Sequence, residues 1–214
     1  MSILVTGFSP FGNETINPSG QIAELLNGTF IEGHRIFGTV LPVATERVGS
    51  LLASVIDRVD PDLVIVLGVA PGRSAPALER VAINVRDFPI EDLDGQKPVD
   101  RPVVESAPDA YISGLPIKAI LTAWRDSGVP GYISNTAGTY VCNQTFYLAR
   151  HLTNVRAGLV HVPSTPESAL AAGMDSSPGS TMSLELLEKA VRLAISTALT
   201  FEGDDLPLEA GMLS

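Results

Sequence analysis

The chain has 214 residues, with hydrophobic and charged fractions of 45% and 18%, which suits one folded domain over residues 1–214 with a sizeable core. A formal net charge of −10, from 24 acidic and 14 basic residues with no basic run, argues against a nucleic-acid partner, since polyanion binding needs clustered Lys and Arg. Apolar runs are too short to span a bilayer, no leader pattern precedes the first strand, and a single cysteine fits a reducing compartment, so a cytoplasmic protein without a membrane partner is expected. On that expectation the Asn-x-Thr sequons at Asn13, Asn27 and Asn143 are accidents of composition.

Residues 3–6 form a short apolar strand ending at Gly7, and residues 36–43 read as another. Val48, Leu51, Leu52, Val55 and Ile56 recur at helical spacing until Pro61 closes the segment. Residues 63–67 are continuously apolar and rich in β-branched side chains, the pattern of a central strand covered on both faces. Residues 86–115, rich in Pro, Asp and Gly, form a long excursion or hairpin. Pro116 suits the first turn of a helix whose apolar face is Ile117, Ile120, Leu121 and Trp124. Short strands follow at 131–134 and 158–162. Residues 163–180 read as a mobile loop, and Ser183 caps a long helix carrying Leu184, Leu187, Val191, Ala194 and Ile195. Residues 203–214 form a loosely attached acidic tail. Strands alternating with helices predict an α/β fold, a three-layer α/β/α arrangement around a mainly parallel twisted sheet.

Cys142 follows a polar, glycine-containing turn and precedes the helical run Phe146-Tyr147-Leu148-Ala149, which places it in the first turn of a helix. There unpaired N–H groups favour thiolate and can face a developing oxyanion. A buried, inert cysteine is the equal alternative on local sequence. A thiol nucleophile needs a base, and the chain has three histidines. His34 lies in a polar loop, and His151, nine residues along the same helix, is roughly 13 Å further along the axis, too far to reach the thiol. His161 ends an apolar strand, where parallel-sheet proteins bind ligands, and is the candidate base beside the alternative of a core histidine. Glu79, followed by Val81-Ala82-Ile83, is the attractive third group to orient that imidazole. It is equally placed to be an ordinary ion-pair partner of Arg80 or Arg73. No zinc-ligand spacing, Walker loop or Gly-x-Ser-x-Gly elbow is present, and Gly68-Val69-Ala70-Pro71-Gly72-Arg73 lacks dinucleotide-binding spacing. Neither cofactor nor metal is expected.

Thr6-Gly7-Phe8-Ser9-Pro10-Phe11-Gly12 with Asn17-Pro18-Ser19, Glu79-Arg80-Val81-Ala82-Ile83-Asn84, the run from Ser134 to Asn143, and His161-Val162-Pro163 resemble, in order and spacing, the motifs of the pyroglutamyl peptidase I (pyrrolidone-carboxylate peptidase) family. The resemblance implies a cysteine exopeptidase acting on peptides with N-terminal pyroglutamate, without cofactor, and often tetrameric. It implies Cys142 as nucleophile, His161 as base and acid, and Glu79 as the group orienting His161. It also implies Phe8, Phe11, Tyr140, Val141 and Asn17 around the pyroglutamyl ring. The chain departs from the family pattern at Val43, Val69 and Pro89, the last standing where the family usually has an arginine, with Arg86 nearby. Those departures leave open a related thiol amidohydrolase with another small amide substrate, or a weakly active binding form.

Overall fold

The computed structural model describes residues 2–12, 14–173 and 179–211, so the sequon at Asn13 and residues 174–178 of the expected loop lie outside it. The first half of the chain runs β1 (Ser2–Phe8), α1 (Pro18–Leu26), β2 (Phe30–Ile31), β3 (His34–Leu41), α2 (Thr45–Val59), β4 (Leu63–Val69), β5 (Ala77–Glu79) and β6 (Val81–Ile83). The second runs β7 (Ala110–Ile112), α3 (Ile117–Asp126), β8 (Tyr132–Ser134), α4 (Val141–Leu152), β9 (Arg156–Val162), α5 (Pro166–Ala171) and α6 (Leu184–Thr200).

Seven strands form the main sheet in the order β2-β3-β1-β4-β9-β5-β8. Its pairings are parallel except β2 with β3 and β5 with β9. Successive side chains of a strand point to opposite faces, and this divides the core in two. Ile3, Val5, Leu63, Ile65 and Leu67 pack with Ile22 of α1, Ile120 of α3 and Val191 of α6. Leu4, Phe8, Val64 and Val66 pack with Leu52 of α2 and Phe146 of α4. The expected mostly parallel sheet flanked by helices is the fold observed.

Several expectations change in detail. Helix α1 has a readable signal in Asn17-Pro18-Ser19 that the periodicity of its short apolar face does not add to. Asn17 caps it, accepting from Ser19 N at 3.0 Å, and Pro18 occupies its first turn. The expected loop at 163–180 contains α5, opened by a capping box between Thr165 and Ser168. Residues 203–211 are fastened rather than loose: Asp205 accepts from Lys118 N at 2.9 Å and Ala119 N at 3.0 Å, capping α3 where Pro116 offers no side-chain cap. His34 is half-buried in the β2–β3 hairpin, not in a solvated loop. The excursion at 86–115 folds back on itself through an Arg86–Arg101 bridge and the β6–β7 ladder.

Candidate active site

Strand alternation places the histidine. Along β9, Ala157 and Leu159 face the core half covered by α4, so His161 faces the same way. Its neighbour in β4 is Gly68. Helix α4 begins directly above, with Tyr140 as an N-cap that makes no side-chain capping bond, so Cys142 stands in a first turn whose N–H groups remain open. Gly68 leaves the space in which the two side chains meet. A Cβ added there would lie 2.8 Å from Cys142 Sγ and 3.1 Å from His161 Nε2.

The carboxylate comes from β5, which runs antiparallel to β9 with Ala77 opposite His161. Glu79 lies two residues further on and therefore on the same face. His161 Nδ1 is 2.7 Å from Glu79 Oε1, and the two residues are 4% and 0% exposed. With Nδ1–H donated to the carboxylate, Nε2 keeps its lone pair and faces the sulfur side. Arg73 Nη1 donates to the same Oε1 at 2.7 Å, so Glu79 serves both as the histidine's partner and in the ion pair with Arg73. Glu79 Oε2 is buried without a hydrogen-bond partner. The Ser134 hydroxyl opposite it in β8 lowers Glu79 by its proximity, while its proton is directed at Thr136 O at 3.0 Å.

Burial dominates the protonation chemistry. It pushes the Cys142 thiol up to about 12; the Glu79 charge adds to the rise, and Arg73 and the residue's own backbone N–H oppose it. The expected lowering by the helix end is therefore outweighed by desolvation, although the residue keeps some exposure to the cleft. Burial also lowers His161, with the Glu79 hydrogen bond and charge raising it and Arg73 lowering it further. For Glu79 burial raises the carboxyl, but His161, Ser134 and Arg73 together hold it below the usual carboxylate range. Burial thus favours the uncharged forms of both the thiol and the imidazole.

Cys142 opens into a cleft of about 380 Å3, lined by Phe8, Phe11, Asn17, Tyr140 and Val141 together with Gly12, Glu14, Val43, Val69, Pro71 and Ile90. All five residues expected around the ring are there. Asn17 also has structural work: its Nδ2 donates to Ser9 O at 3.1 Å, and Ser19 Oγ, held by Asn17, accepts from Phe8 N at 3.0 Å. Tyr140 is braced by its hydroxyl on Glu91 O at 3.0 Å and by the Phe88 ring at 4.4 Å. Val43 and Val69 line the cleft, whereas the neighbour of Pro89, Ile90, supplies the lining there. Arg86 does not reach it. Its guanidinium turns to Thr45 Oγ1 at 3.2 Å and Pro102 O at 3.1 Å. Among the described residues no cluster of His, Cys, Asp or Glu is arranged to hold a metal ion.

The profile of the pyroglutamyl peptidase family matches residues 1–201. The chain belongs to the pyroglutamyl peptidase family. These are cysteine peptidases that remove N-terminal pyroglutamate from peptides. The pyrrolidone-carboxylate peptidase of Pyrococcus furiosus is 43% identical over 205 residues, covering 93% of this chain and 98% of that protein. The Yersinia pestis peptidase of the same name is 42% identical, covering 94% of each. The solved structure of the pyrrolidone carboxyl peptidase from Thermococcus litoralis superposes with a TM-score of 0.92 at 35% identity, covering 97% of this chain and 99% of that one.

Within this pyroglutamyl peptidase family member, the residues that sequence reasoning left out mostly hold the site in place. Asn143 is fully buried; its Oδ1 accepts from Ile83 N at 3.0 Å and its Nδ2 donates to Ile83 O at 2.9 Å, tying the start of α4 to β6. Gln144 accepts from Thr45 Oγ1 at 2.7 Å and donates to Thr45 O at 2.8 Å, tying α4 to α2. Both stand beside the cysteine in a polar run that resembles a turn, and nothing in their spacing distinguishes a clamp from a loop.

Proposed function

We propose that Cys142, His161 and Glu79 carry out the removal of N-terminal pyroglutamate, with the cleft holding the lactam ring. The observation that supports this most is the convergence of Cys142 Sγ and His161 Nε2 above Gly68, with Nδ1 of the same ring on a buried carboxylate. His161 Nε2 takes the thiol proton as Sγ attacks the pyroglutamyl carbonyl carbon. The oxyanion forms beside the uncapped first turn of α4, whose N–H groups stabilise it. Glu79 stabilises the imidazolium, which then protonates the amine nitrogen as the C–N bond breaks and the thioester remains. Water attacks the thioester while His161 accepts its proton. The released thiolate recovers that proton, and free pyroglutamate leaves.

The lining explains the choice of ring. A flat, uncharged lactam loses little on entering a slot walled by Phe8, Phe11, Val43 and Val69. A protonated amino terminus would give up hydration on entering that slot, where Glu14 is the single acidic side chain in the lining. A reducing, cytoplasmic setting fits a single cysteine that must stay reduced. Measuring amine release from pyroglutamyl, prolyl and alanyl conjugates tests the reading. Only the first is expected to turn over, and Cys142→Ser should reduce its kcat/KM by roughly 10³-fold or more. Comparable cleavage of the alanyl conjugate, or a Cys142→Ser enzyme within tenfold of the parent, would overturn it.

A further inference from the structure

We propose that Arg73 is a positioning residue that sets the proton balance of the Cys142–His161 pair by sharing Glu79 Oε1 with the imidazole. The inference rests on the roles proposed above. Arg73 Nη1 and His161 Nδ1 both lie 2.7 Å from that one oxygen. Oε2 is buried and has no hydrogen-bond partner, so the carboxylate directs both donors to one side. The Arg73 side chain is 24% exposed, whereas Glu79 is fully buried, so the guanidinium bridges the triad and solvent. The guanidinium carbon lies over the ring of Tyr132, 5.9 Å from its centroid, in the strand that pairs with β5.

A permanent positive charge at that oxygen has a definite sign of effect. It draws carboxylate charge away from the imidazolium, which makes His161 a weaker base, and it favours the thiolate of Cys142. Both directions are those the structure assigns to Arg73. The charged groups acting on His161 are Glu79 from β5 and Arg73 from the segment between β4 and β5; Cys142 faces it from α4. Burial is the larger cause for the imidazole; Arg73 adds to it in the same direction and eases thiol ionisation against burial, so its one charge acts on both groups. Removing the charge raises both protonation steps of the pair, which titrates as a unit.

The test is the pH dependence of kcat/KM on a pyroglutamyl amine conjugate, together with the pH dependence of Cys142 alkylation by iodoacetamide without substrate. For Arg73→Gln both limbs of the kcat/KM profile, and the rising limb of alkylation, should move up by about one pH unit. Arg73→Lys, which keeps the charge, should leave both profiles close to the parent. Arg73→Met keeps an unbranched apolar stem and gives the same reading should Arg73→Gln not fold. Profiles for the neutral variants that coincide with the parent would overturn the proposal, whatever the drop in rate. So would loss of folding in both, which would make Arg73 a stability residue. If alkylating Cys142 leaves turnover intact, the proposed triad itself fails; if alkylation abolishes turnover while the profiles stay fixed, only the role of Arg73 fails.

Discussion

At Gly68 the absence of a side chain is the functional property. A methyl there would sit at 2.8 Å from Cys142 Sγ and 2.9 Å from His161 Cδ2, closer than either atom tolerates. Gly68→Ala is therefore expected to push sulfur and imidazole apart and reduce kcat/KM by about 10²-fold, the scale associated with an ångström of misplacement. Activity within twofold of the parent would contradict that. Side-chain chemistry at the site was only partly readable from residue type: one thiol and three histidines left few combinations, while 24 acidic residues left the carboxylate open. Its protonation state was not. A helix start predicts a lowered thiol, but burial, which depends on every element packed around Cys142, moves it the other way. The same limit applies to Arg73. Glu79 as triad member and Glu79 as ion-pair partner looked like alternatives along the chain, and the fold makes one oxygen serve both.

At the scale of elements, long apolar patterns were the legible ones. The continuous run in β4 and the helical spacing in α2, α3 and α6 correspond to observed elements because their burial repeats over several turns or pleats. Short elements depended on chemistry spread over distant residues. Helix α5, six residues long, rests on a Thr165–Ser168 capping box, and the excursion at 86–115 rests on pairings that join its two ends. The acidic tail shows this most clearly. Composition suggests solvent, but the Asp205 carboxylate finds two open N–H groups at the start of α3, 86 and 87 residues earlier. Asp205→Ala should lower unfolding free energy by about 1 kcal/mol in urea titrations, the usual worth of a helix cap, with kcat/KM unchanged. An unchanged denaturation midpoint would mean that the cap contributes nothing to stability.

Across the whole molecule, the sheet order brings together residues from three chain regions at one end of the sheet. β9 inserts between β4 and β5, so Gly68 and Ala77 flank His161 from opposite sides, and α4 lays Cys142 over them. Because parallel strands end on the same side, the end of β1 and the segment after it reach the same place and supply Phe8 and Phe11 to the cleft. The fold thus joins a thiol, an imidazole and an apolar cleft whose residues lie far apart in the chain. The central claim is that Cys142 carries the pyroglutamyl group between the two halves of the reaction. Acid quenching during turnover of a pyroglutamyl conjugate, followed by peptide mass spectrometry, measures this directly. A pyroglutamyl thioester on the peptide containing Cys142, absent from Cys142→Ser enzyme, is the predicted result. Unmodified Cys142 under conditions where the adduct should accumulate, with turnover surviving its alkylation, would contradict the account.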